Sequence, residues 1–254
     1  MRESIRRLQR EAERIASKHP LPEFYTRFRA ETAAARKLFF NDPQISRLRK
    51  ILEPRYVEEL GHGTFHCTRV SIDTATLLLI ETVPQRPEAS AVERLMTVGI
   101  FAGLLHDICR GSKDHAACGA REAAKFLTEF DLNDDEVFSI VNAIRNHEAF
   151  VSAAPRLDSR QWVQLTSDCL YDADKFRWGA DTFTHTLWYM ADYQDLGPRE
   201  LIDRFPWGMS GTYSIIETFR TATGRQYGPE IIENGAEIGK EIYQYLLQHF
   251  REES

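Results

Sequence analysis

The residues in this chain that could do chemistry are histidines and aspartates standing at the ends of apolar stretches. His106 and Asp107 lie side by side at the close of the apolar run Val98 to Leu105, just ahead of a loop containing Arg110, Gly111, Ser112 and Lys113. Packing gives neither side chain a reason to be there. An imidazole and a carboxylate at a half-buried helix end each need a partner, and a divalent metal meets both needs, because neutral imidazole nitrogen and carboxylate oxygen are ordinary ligands of first-row ions. Taken alone, the dipeptide is better read as a helix-end histidine bonded to a neighbour. Its weight comes from His66, His115, His147 and Asp174, each at a helix end or in a first turn of its own segment.

The elements that must position these side chains read as helices. Residues 3–17 carry apolar positions at helical spacing and stop at His19-Pro20; a second pattern runs from about Glu23 to Phe40, and a third from about Gln44 to Leu60 with a break at Pro54. Gly61-His62-Gly63-Thr64 is a turn and cap ahead of a core helix, Phe65–Thr82, with His66 in its first turn. Further helices are expected over Ala89–His106, Asp114–Phe130, Asp134–Asn146 and Ser159–Tyr171, the last leading into Asp172-Ala173-Asp174-Lys175-Phe176. A terminal amphipathic helix, about Pro229–Phe250, is expected to open with proline in its first turn. All four tryptophans (Trp162, Trp178, Trp188, Trp207) fall in one stretch, where interhelical packing is the first expectation and a pocket wall the second. No alternation calls for a sheet, and no repeat is visible. The expectation is all-α, one domain over 1–254.

The order H…HD…H…H…D, with Val70 following the first His, the second in Leu104-Leu105-His106-Asp107-Ile108, the third in Asp114-His115-Ala116, the fourth in Arg145-Asn146-His147-Glu148 and the last in Asp172-Ala173-Asp174-Lys175-Phe176, resembles the HD-domain superfamily of metal-dependent phosphohydrolases. The likeness covers about residues 60–180. It implies a helical bundle core there, with residues 1–59 and 181–254 as flanking helices that shape a pocket or a dimer contact. It also implies that His66, His106, Asp107 and Asp174 hold a divalent ion (Mn, Fe, Mg, Co, Ni or Zn), and that His115 and His147 hold a second in two-metal members. The implied activity is hydrolysis of a small phosphorylated metabolite or nucleotide. Arg110, Lys113 and Lys175 are then candidates for the phosphate, and Asp107 or Glu148 for proton transfer to the leaving group. Two other readings stay open: a di-iron oxygenase using all six positions, and a non-catalytic nucleotide-binding module. His62 reads as solvated or as a partner of a ligand, Asp172 as a cap or a support for Asp174, and His19, His185 and His249 as surface or core residues.

Composition narrows the partners. Of 254 residues 43% are hydrophobic, enough for a substantial core, and the formal net charge of -6 offers no basic field for a long nucleic acid. Four cysteines without CxxC spacing suggest reduced, mostly buried thiols, and hence the cytoplasm. The amphipathic start lacks the apolar stretch of a signal peptide, its Glu3, Glu11 and Glu13 argue against a transit peptide, and no apolar run is long enough to span a bilayer, so no membrane partner is expected.

Overall fold

Twelve α-helices make up the described part of the protein, residues 1–56, 58, 61–85, 88–151 and 161–250 of a computed structural model, and no strand occurs among them. They are α1 (Glu3–Ala16), α2 (Glu23–Arg27), α3 (Arg29–Asn41), α4 (Pro43–Leu52), α5 (Thr64–Thr82), α6 (Ala89–Leu105), α7 (His115–Leu127), α8 (Asp134–Arg145), α9 (Gln161–Lys175), α10 (Leu187–Tyr193), α11 (Pro198–Tyr213) and α12 (Ala222–Phe250). The all-α expectation holds. None of the described helices is long and apolar enough to cross a membrane.

The centre of the bundle is α5 packed along α6. Nearly every side chain of α5 from His66 to Leu78 is buried, so it shows no polar face, and its hydroxyls turn back on the helix: Ser71 donates to the Cys67 carbonyl at 2.7 Å, Thr74 to Val70 at 2.7 Å and Thr76 to Ile72 at 2.8 Å. Close approach to α6 depends on Gly103, where a Cβ would lie 2.5 Å from Ser71 Cα. That missing carbon lets two backbones meet. Helices α3, α4, α8 and α9 and part of α12 complete this core through Phe39, Leu48, Ile140, Leu170 and Ile231.

A second apolar cluster brings the two ends of the chain together. Ile5, Leu8, Ala12 and Ile15 of α1 pack with Phe183, Trp188, Leu201 and Phe205, and with Ile238, Ile242 and Leu246 of α12. Helix α12 therefore runs through both clusters. It begins at Ala222 rather than at Pro229, because Thr221 Oγ1 accepts the Gly224 N–H at 2.8 Å and caps the helix a full two turns earlier. Pro229 is carried inside, without an N–H to offer the preceding turn.

Other boundaries also shift. The expected Glu23–Phe40 helix is two helices, broken at Phe28 (φ -100, ψ 38), which lets Phe24 and Phe28 both reach the Tyr227 ring, at 6.4 and 5.4 Å. The expected start of α9 at Ser159, and the end of the third helix at Leu60, lie outside the described residues. Among the tryptophans only Trp188 is fully buried; Trp207 is 82% exposed and Trp162 39%, so packing accounts for fewer of them than composition suggested.

Candidate metal centre

Each site residue is delivered by a helix end. His66 projects from the first turn of α5, His106 and Asp107 follow the last turn of α6, His115 opens α7, His147 follows α8 and Asp174 lies in the last turn of α9. Because α5 and α6 touch backbone to backbone at Gly103, the imidazoles of His66 and His106 converge, with Nε2 to Nε2 at 3.1 Å.

Asp107 is the hub. Its Oδ2 lies 2.9 Å from His62 Nδ1, 3.4 Å from His106 Nε2 and 3.7 Å from His66 Nε2. Its Oδ1 faces the other way, 3.5 Å from His147 Nε2, 3.7 Å from Arg110 Nη1 and 3.8 Å from His115 Nε2. Asp174 Oδ1 closes the far side, 3.3 Å from His66 Nε2 and 3.8 Å from His106 Nε2. Two donors each about 2.1 Å from one ion, at 90 to 110° to each other, are roughly 3.0 to 3.4 Å apart. The His66, His106, Asp107 and Asp174 spacings of 3.1 to 3.8 Å are close to those edges. Among the described residues, three donor trios are compact enough for an ion: His62, His66 and Asp107; His66, His106 and Asp174; His106, Asp107 and His147.

The protonation states suit ligands. His106 Nδ1 donates to the Gly103 carbonyl at 2.7 Å and His147 Nδ1 to the Ile144 carbonyl at 2.6 Å, which leaves each Nε2 facing the centre. Burial lowers His66 to about 4, so its ring is neutral at physiological pH. Burial also works against charge on Asp107 and Asp174, yet the imidazoles around Asp107, and Lys175 with the imidazoles around Asp174, outweigh it and hold both carboxyls well below the usual range. Burial pushes His106 down, but Asp107 more than reverses this and raises it. The pull on a proton there is the pull a metal cation would feel.

The remaining candidates divide. His115 Nδ1 lies 3.0 Å from Glu148 Oε1, and its Nε2 accepts from Arg110 Nη1 at 3.1 Å, so His115, Glu148 and Arg110 form a chain beside Asp107. Lys175 is buried with its ammonium on the Asp174 carboxylate, which occupies it as that ligand's counter-ion. Lys113 is exposed and touches none of the cluster among the described residues. Asp172 points away: its two oxygens accept the Arg220 and Thr221 N–H groups, each at 2.8 Å, and hold the start of α12.

His62, which reads from the sequence as solvated or as a partner of a ligand, lies against Asp107 despite the glycines on both sides. A buried network behind the site is not legible in the sequence: Arg177 bonds Asp73, Asp181 and, at 2.6 Å, the Tyr25 hydroxyl, while Tyr25 donates to Asp73 at 2.9 Å. It pins the end of α9, which carries Asp174, against α5, which carries His66. The one signal available was a cation three residues beyond Asp174.

No family model and no curated protein matches the chain. It is similar to a solved structure from an uncultured Thermotogales bacterium, described as a "predicted HD superfamily hydrolase", at 21% identity over 87% of this chain and 92% of that one, with a TM-score of 0.41.

Proposed function

We propose that this protein is a metal-dependent phosphohydrolase acting on a small phosphorylated metabolite or nucleotide. The observation that carries the reading is the convergence of His66, His106, Asp107 and Asp174, donors from three helix ends, with His66 and His106 each 3.1 to 3.8 Å from one another and from both carboxylates. These four would hold the ion. A bound divalent cation supplies a water of lowered pKa and polarises a phosphoryl oxygen.

The chain's own groups do the rest. Gly103 and Ile144 carbonyls fix the His106 and His147 rings, and Lys175 fixes Asp174, so the donors are aimed before any ligand arrives. The Arg110 guanidinium, one third exposed beside Asp107, is placed to anchor phosphate oxygens. Glu148 is held by His115 and keeps 30% of its side chain open to solvent, so it can take a proton from the attacking water and pass it to the leaving oxygen. The net charge of -6 favours small substrates over long polyanions. A di-iron oxygenase needs both His115 and His147 as ligands, and the iron content and O₂ consumption of protein purified without added metal separate it from this reading. The test is a screen of purified protein, supplemented with single divalent metals, against phosphomonoesters, phosphodiesters and nucleotides. Turnover that disappears in His106→Ala and on chelation supports the reading; no turnover across the panel with any metal contradicts it.

A further inference from the structure

The turn ahead of α5 is built to bring a histidine inward. Gly61 sits at φ +71, where other residues are strained, and a Cβ there would lie 2.9 Å from Thr186 Cα. A Cβ on Gly63 would fall 2.0 Å from the Glu58 carboxylate, which accepts the Thr64 N–H at 2.7 Å and closes the first turn of α5. The two glycines let the chain pass between Thr186 and Glu58 with His62 facing the cluster. There the His62 ring meets His66 edge-on at 4.7 Å.

His62 also approaches the Asp107 carboxylate closely. Its Nδ1 is buried and has no hydrogen-bond partner among the described residues, although Asp107 Oδ2 is only 2.9 Å away. A buried nitrogen and oxygen at that distance, without donor alignment, have the spacing of adjacent ligands on an ion. His62, His66 and Asp107 also form a compact donor trio of their own.

The geometry points to His62 as a further metal ligand, bound through Nδ1 on the Oδ2 side of Asp107. This rests on the reading that the cluster binds a divalent ion, and it refines which ion. With His62 included, Asp107 Oδ2 has three imidazoles around it, His62, His66 and His106, at 2.9, 3.7 and 3.4 Å. A nitrogen-rich set selects zinc, iron, cobalt or nickel over magnesium and calcium, which prefer oxygen.

The experiment titrates metal-free protein with Co²⁺ and follows affinity, visible absorption and the hyperfine-shifted imidazole N–H proton signals, one for each ring on the ion. Wild type is compared with His62→Ala, with His62→Gln, which keeps a polar side chain in the turn, and with His106→Ala. The expected result is a Co²⁺ affinity at least tenfold weaker in both His62 variants, an altered absorption spectrum and the loss of one shifted N–H signal, with circular dichroism unchanged. Affinity within twofold of wild type with every signal retained overturns the inference. So does weaker binding with spectrum and signals unchanged, since a merely supporting histidine behaves that way. The His106→Ala arm separates the levels: if it loses Co²⁺ while the His62 variants do not, only the role of His62 fails, whereas if it binds as wild type the centre itself is misplaced.

Discussion

Asp107 Oδ1 and His147 Nε2 face each other across 3.5 Å of buried space, and neither has a hydrogen-bond partner among the described residues. His147 Nδ1 already donates to the Ile144 carbonyl, which turns its Nε2 toward Asp107, and the neighbouring imidazoles hold the Asp107 carboxyl well below its usual range. Two buried polar atoms left unbonded cost about 1–3 kcal/mol each, and a cation between them would relieve both. A second ion on the Oδ1 side is therefore expected. Elemental analysis of metal-replete protein should give close to two ions per chain, and His147→Ala close to one. A value near one in both would show that the pair serves another purpose.

The two cations of the loop after Asp107 should behave differently. Arg110 contacts His115 and lies beside Asp107, whereas Lys113 is exposed. Steady-state kinetics on the best substrate should show Arg110→Ala losing roughly ten- to a hundredfold in kcat/KM, the effect of one charge-assisted hydrogen bond of about 1.5–3 kcal/mol. Lys113→Ala should stay within about twofold, as expected of a solvated charge. Equal effects in the two variants would remove the phosphate role from Arg110.

The Arg177 network is a stability element. Replacing Arg177 by Met leaves Asp73 buried without the cation bonded to it and Asp181, among the described residues, with Arg69 at 3.0 Å. Breaking a buried pair from one side costs about 3–5 kcal/mol. Urea unfolding of Arg177→Met should show a loss of that size, and a change under about 1 kcal/mol would mean that the carboxylates find other partners.

Asp172 gives a pH dependence with a defined sign. Burial raises its carboxyl from 3.8 to about 6 despite the N–H groups of Arg220 and Thr221. Between about pH 4 and 6 the folded protein then binds more protons than the unfolded chain, so this group's contribution is fully present below about pH 4 and is lost as pH rises through 6, by roughly 3 kcal/mol. Asn carries no such titration. The stability of Asp172→Asn relative to wild type should improve from pH 4.5 to pH 7.5 in paired unfolding curves; a relative decline would show that the two N–H groups win over burial.

Much of the centre was legible because each ligand carries its own local context. His106-Asp107 closes an apolar run, His66 opens another, and Asp174 sits in the last turn of a helix, so residue type and helix end mark them as candidates, and the resemblance to the HD-domain pattern singles them out as a ligand set. Distances between helices were not legible. Glycines on both sides leave His62 open between a solvated loop and a partner of a ligand, and the packing of Gly61 against Thr186, far along the chain, turns it inward. The pairing of Arg177 with Asp73 and Tyr25 joins elements whose adjacency no periodicity reveals. Thr221 was passed over as the cap of α12 because Pro229 is the stronger local signal, and a proline inside a helix is tolerated when the surrounding contacts hold it. The aromatic stretch failed for a related reason: composition places Trp207 among packing residues, but only the fold shows which face it occupies.

The measurement that bears most directly on the account is the divalent-metal content and affinity of wild type against His106→Ala and Asp174→Asn, by elemental analysis and isothermal titration calorimetry, with helical content followed by circular dichroism. The donor geometry predicts tight binding of a first-row ion in wild type and affinity lowered at least a hundredfold in each variant, with the helices intact. Wild-type protein that binds no such ion under metal-replete conditions, or variants that bind as tightly as wild type, would contradict it.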